Sequence, residues 1–282
     1  MVLRSLCLPI IHDEESEAIS IRAVETFTQI RRLQIIFRHP SFAQALLPTI
    51  AASSQLQILD LSFDRKVEPR RSLPMNWMSE ITRLPLIELR ISLEGIEERQ
   101  DTTGWEVMSY LRKLGMELSK ASDESLMRIA KSMFGGLDSL ELVILDDTGS
   151  TPLVTEGGIV DAILLGKNYR SLSVHSYPLS ASTGPFMDRI LPHLPLLTNL
   201  SSRTHSLTRA DLIPSSMRHF IFYQRPWPSE AECFVGELAK WIAGGHLEKL
   251  ESVTLAGEGD KDSVALLVKA CSERAVTLSI GS

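Results

Sequence analysis

The stretch Ser122 to Leu145, SDESLMRIAKSMFGGLDSLELVIL, decides the fold. Ser122 or Asp123 can accept hydrogen bonds from the free N–H groups of a first helical turn. Leu126, Ile129, Ala130, Met133 and Phe134 recur at helical spacing and give that helix one apolar face. Gly135-Gly136 predicts its end, because glycine takes a left-handed backbone without a Cβ clash. Leu137, Leu140 and Leu142 follow in the spacing L-x-x-L-x-L, which gathers three apolar side chains into a core while Glu141 points the other way.

The same grammar returns in SEAECFVGELAKWIAGGHLEKLESVTL, from Ser229 to Leu255. Ser229 and Glu232 form a capping-box pattern, and Phe234, Leu238, Trp241 and Ile242 make the expected buried stripe. Gly244-Gly245 stops the helix before Leu247, Leu250, Val253 and Leu255. The strand half alone begins again at Leu3, Ile30, Leu56, Leu86, Leu137, Tyr169, Met217 and Leu250, with weaker copies at Leu111, Leu197 and Ala275. Most starts lie in the high twenties of residues apart, the period of one strand plus one helix. Leu111 to Met116 stays open between strand and helix, since Val107, Leu111, Leu114 and Leu118 also fit helical spacing.

On these copies the chain resembles the leucine-rich repeat family, and in particular the irregular repeats of fungal F-box proteins. The resemblance implies an α/β fold: one right-handed horseshoe solenoid over residues 1–282, with a parallel sheet on the concave face and helices on the convex face. Many such repeats carry Asn or Cys three residues after the last strand leucine; here those positions hold Asp64, Glu94, Leu145, Tyr177 and Arg225. No F-box precedes the pattern at Leu3.

Composition narrows the function. A net charge of −6 and a pI near 5.7 argue against a nucleic-acid groove, which needs a basic stripe to displace counterions. No segment reaches the roughly 20 apolar residues that span a bilayer, so no membrane association is expected. Cys7, Cys233 and Cys271 are few and far apart, which points to a reducing, cytoplasmic setting without disulfides or zinc. No dinucleotide, phosphate-loop, nucleophile-elbow or metalloprotease motif is present, so no cofactor is expected. The Gly135-Gly136, Gly157-Gly158 and Gly244-Gly245 pairs read as caps or turns. Arg225-Pro226-Trp227-Pro228 reads as a rigid turn or a docking wedge.

Candidate functional residues lie between the buried leucines, where stacked parallel strands line them up in stripes. The central stripe is Cys7, Gln34, Asp60, Arg90, Gly115, Glu141, Ser173, Ser201, Ile221, Thr254 and Ser279. Two binding clusters emerge: Arg32, Asp60, Glu88, Arg90 and Glu141; and His175, Arg203, His219 and Tyr223. Each of these residues also has a plain reading as a solvated strand face with ion pairs such as Asp60 to Arg90, worth about 0 to 1 kcal/mol. Ile36, Phe37, Ile58 and Phe63 would add apolar surface to the same face.

Three classes follow. The first is a non-catalytic scaffold that binds a protein partner, which the family resemblance narrows to substrate recognition for a ubiquitin ligase. The second is a pocket for a small apolar ligand or a cofactor-free isomerase or cyclase, with Asp60, Glu141 or His175 polarising the substrate. The third is a structural role. The segment His12 to Glu17 is polar enough to shield the first strand, whereas Val276 to Ile280 has no shield, so that edge is expected to self-associate or dock a partner.

Overall fold

The structure is a computed structural model that describes residues 4–8, 10–27, 29–38, 40–63, 73–74, 77–94, 105–145, 154–177, 185–203, 206–223, 230–257 and 260–281. The side chains of 40–45, 73–74, 94, 176–177, 203 and 230–233 are not among those described. The Arg225 to Pro228 turn and the Ser229–Glu232 capping box lie outside them. The fold is α/β with parallel strands. It divides into two compact units: Met1–Leu137, Glu141–Val154 and Ser176–Pro178 form the first, and Asp138–Leu140, Thr155–His175 and Leu179–Ser282 the second.

In the first unit, β1 (Ser5–Cys7), β2 (Arg32–Phe37), β3 (Ile58–Phe63), β5 (Glu88–Glu94) and β6 (Lys113–Ser119) pair in that order, each parallel to the next, and the short β4 (Leu73–Pro74) pairs with β5. Helix α1 (Glu14–Thr26) follows β1, α2 (Pro40–Ala51) follows β2, α3 (Met78–Ile81) follows β4 and α4 (Asp123–Met133) follows β6; α1 packs on α2, and α2 on α3. The division between the units falls inside β7 (Ser139–Leu145).

In the second unit, β8 (Ser171–Tyr177), β9 (Asn199–Arg203), β10 (His219–Tyr223), β11 (Ser252–Ala256) and β12 (Thr277–Gly281) pair in order and in parallel. Its helices are α5 (Glu156–Ile163), α6 (Phe186–Ile190), α7 (Glu230–Ala243) and α8 (Lys261–Glu273), with α5 against α6 and α7 against α8.

All eleven copies of the pattern are strands, and every strand begins at the third residue of its copy. Leu111 to Met116 is therefore strand: β6 starts at Lys113, and Leu111 is the buried residue before it. Because side chains alternate along a strand, the fourth and sixth residues of each copy fall on one face. Leu59, Leu89, Leu140, Leu172, Phe220 and Val253 are each at most 1% exposed. The weak copy at Leu197 puts a hydroxyl in the sixth place. There Ser202 is fully buried and hydrogen-bonds Ser206 at 2.6 Å, which removes the cost of an unpaired polar group.

The helix starts follow side-chain chemistry. Asp13 accepts from the Ser16 amide at 2.8 Å, Ser122 from Ser125 at 3.2 Å, Thr155 from Gly158 at 3.1 Å and Asp260 from Ser263 at 2.8 Å. Gly157 and Gly158 thus lie in the first turn of α5. The two glycine pairs behave differently. Gly244-Gly245 ends α7 in a left-handed turn, with φ +79° at Gly245, the Gly245 amide on Ile242 and the His246 amide on Trp241. The expected left-handed backbone at Gly135-Gly136 is not found; Phe134–Gly136 is instead a right-handed 3-10 turn. What the two pairs share is an arginine seat. The Arg112 guanidinium donates to the Gly136 carbonyl at 2.8 Å and that of Arg274 to the Ala243 carbonyl at 2.7 Å. A Cβ on Gly136 or Gly245 would lie 2.9 Å from those same arginines. Trp241, expected in the buried stripe, is half-buried and stacks on His246 at 3.9 Å.

At β12 only the inner edge is paired among the described residues. Ile280 is 55% exposed, and Ala275 before it holds φ +56°, a strained place for any side chain.

Candidate functional site

Strand register brings the first cluster together. Across β2, β3, β5 and β6, Arg32, Ile58, Glu88 and Lys113 are aligned, and beside them run Cys7, Gln34, Asp60, Arg90 and Gly115. Gln34 Nε2 donates to Asp60 Oδ2 at 3.2 Å, and Lys113 Nζ lies 3.9 Å from Glu88 Oε2. Arg90 Nη2 donates to Glu141 Oε2 at 3.2 Å. The expected neighbour pair of Asp60 with Arg90 is thus replaced by one that skips a strand.

Gly115 explains the longer reach. A Cβ at that position would sit 3.2 Å from Arg90 Nε and 3.3 Å from its Cγ, so the arginine lies directly across the glycine on its way to Glu141. With Arg90 committed there, Asp60 keeps one oxygen, Oδ1, buried and without a hydrogen-bond partner among the described residues. Burial raises the Asp60 carboxyl above its ordinary value because the charged form loses water; the charges of Arg90 and Arg32 pull the other way without cancelling it.

The apolar surface expected beside this cluster is smaller than the sequence implied. Phe37 is fully buried, because it falls on the same side of β2 as Leu33 and Ile35, and its ring packs at 5.9 Å against Phe63. Ile36, Ile58 and Phe63 are half-buried.

The second cluster divides in two. His175 Nε2 lies 3.0 Å from Ser173 Oγ and 3.4 Å from Ser201 Oγ, with its ring edge-on to Tyr223 at 5.1 Å. His219 belongs to another network: Nδ1 is 3.0 Å from Ser252 Oγ, and Nε2 is 3.6 Å from Glu251 Oε2. The backbone of Arg203 pairs with Tyr223, and its side chain is outside the described residues. On β9, Asn199 is aligned with Ser171, and its Oδ1 is buried without a hydrogen-bond partner among the described residues.

Ser173, Ser201 and Gly115 stand in the central stripe that the register predicts, but their residue types gave no reason to select them. Glu251 precedes its strand and carried no signal. Among the described residues no group of three or more His, Cys, Asp or Glu side chains is placed to hold a metal ion, and no helix is long and apolar enough to cross a membrane. No protein-family model matches the chain, and no curated protein matches it.

Proposed function

We propose that the chain is a leucine-rich repeat protein that binds a protein partner through the outward strand face of its first unit and catalyses no reaction. Eleven strands in one phase of one repeated pattern support a right-handed horseshoe with the sheet on its concave side. The observation that carries the function is the Asp60 neighbourhood: strand register sets Arg32, Arg90 and Lys113 among Asp60, Glu88 and Glu141 on one outward face. Three cations and three anions cancel in sum, so this face suits a partner segment of mixed charge rather than a polyanion. The resemblance to fungal F-box proteins extends the proposal to recognition of a ubiquitin-ligase substrate.

The test exchanges the two charges of one pair. Arg90→Glu with Glu141→Arg keeps an ion pair across Gly115 and so keeps the fold, yet reverses the pattern that the partner reads. A partner captured by the natural chain should be lost by the exchanged chain at an unchanged melting temperature. Equal capture by both would rule out this face.

A second reading rests on His175 and its two serine hydroxyls, which hold an imidazole where it could withdraw a hydroxyl proton. It would make the second unit a small-molecule or cofactor-free catalytic site. A fluorophosphonate probe would label Ser173 or Ser201 in the natural chain and neither in His175→Ala. Absence of labelling in the natural chain would remove this reading.

A further inference from the structure

We infer that Arg4, Arg31, Gln29 and Gln55 form a binding site for a phosphomonoester, independent of the strand-face reading. The four side chains line a half-open cleft of about 380 Å³ in the first unit, and among the described residues none that lines it is acidic. The repeat builds it. Arg4 and Arg31 are the second residues of the first two copies, while Gln29 and Gln55 immediately precede the second and third. The backbone fixes their spacing: the amides of Arg31 and Arg32 both donate to the Arg4 carbonyl, at 2.9 and 3.1 Å, and those of Gln57 and Ile58 both donate to the Arg31 carbonyl at 2.9 Å. The two arginines therefore start from strands about 4.8 Å apart.

At the same place in later copies Arg112 is satisfied by the Gly136 carbonyl at 2.8 Å and Arg218 by Glu251 at 3.1 Å, while Arg170 stands between Asp138 and Thr198 rather than beside a second arginine. Arg4 and Arg31 form no ion pair with any described acidic side chain. Two neighbouring guanidinium groups repel each other until an anion sits between them, and each offers a planar fork of N–H donors that fits two phosphate oxygens. The two carboxamides supply further donors for the third oxygen and acceptors for the ester side. The cleft exceeds the size of a bare phosphate, which favours the phosphate of a larger molecule.

Calorimetric titration of the full chain tests this with phenyl phosphate, a phosphoserine tripeptide, inorganic phosphate and acetate. The first two separate a free aryl phosphate from a phosphorylated side chain. We expect saturable binding of at least one of them, weaker binding of inorganic phosphate, and none of acetate. Arg4→Gln with Arg31→Gln should weaken binding at least tenfold, and Arg4→Lys, which keeps the charge and loses the fork, severalfold. Arg128→Gln with Arg218→Gln removes the same charge elsewhere and should leave binding unchanged. No saturable binding of either ester by the natural chain, or equal losses in the two double variants, would overturn the inference.

Discussion

The two units write the same backbone pattern and cover it with different chemistry. The outward strand face of the first carries full charges, held by Gln34 on Asp60, Lys113 on Glu88 and Arg90 on Glu141. That of the second carries mostly hydroxyls and imidazoles, with Ser173, Ser201 and His175 in one network and Ser252 and His219 in another. The inward faces do not differ in kind, since both are built from leucines and their apolar replacements. Apolar burial therefore specifies the fold in both units, and the outward residues are free to vary without altering it.

Breaking the inward face should cost most. Leu140→Ala is expected to destabilise the chain by about 2 to 5 kcal/mol in a denaturant melt, because stacked strands cannot close around the cavity. Glu141→Ala, one residue away and facing outward, removes only an exposed ion pair and should cost less than about 1 kcal/mol. Equal losses would mean that the faces are wrongly assigned.

Buried oxygens without a hydrogen-bond partner among the described residues, Asp60 Oδ1 in the first unit and Tyr169 Oη and Asn199 Oδ1 in the second, sharpen the contrast. In the second unit Tyr169 takes the place of a leucine with its hydroxyl fully buried. Tyr169→Phe should stabilise the chain by about 1 to 3 kcal/mol by removing that group. Burial raises the Tyr169 hydroxyl well above its ordinary value, so the folded chain keeps a proton that the unfolded chain releases near pH 10. The Tyr169 contribution is thus complete below about pH 10 and is lost above it. The advantage of the phenylalanine variant should widen in alkali; an advantage that stays constant to pH 11 would contradict the assignment.

Ala275→Gly comes next, with an expected gain of up to about 1 kcal/mol, because the left-handed backbone there costs a Cβ clash that Gly245 avoids at the end of α7. A loss of stability on that change, read in the same melt, would refute the strain. Asp60→Asn should have the smallest effect on stability. Its carboxyl is raised by burial, so the favourable contribution exists below about pH 4 and disappears as pH rises through the folded value. Relative to the natural chain, the asparagine variant should gain stability between pH 3 and pH 7. A relative loss over that range would mean that Arg32 and Arg90 dominate the site.

Most of the strand layout was legible in the sequence, because a period of two and a repeat near the high twenties each leave a mark on residue type. Even the weak copies at Leu111, Leu197 and Ala275 proved to be strands, the second by pairing Ser202 with Ser206. The turns were less legible. Gly135-Gly136 and Gly244-Gly245 are the same letters, yet only the second uses a left-handed backbone; both make room for an arginine from elsewhere in the chain. Side-chain reach was the least legible feature. Arg90 crosses Gly115 to Glu141, and His175 gathers serines from its own strand and the next, because long side chains settle on the best partner in space rather than on the nearest repeat.

The central claim, that the charged face of the first unit is where a protein partner sits, is tested most directly by site-specific photo-crosslinking. A benzophenone side chain at Gln34, beside Asp60, is compared with one at Lys131, exposed on α4. In extract of the source cells, Gln34 should yield a discrete crosslinked protein that unmodified chain competes away, and Lys131 should yield none. The same crosslinks from both positions, or none from Gln34, would contradict the account.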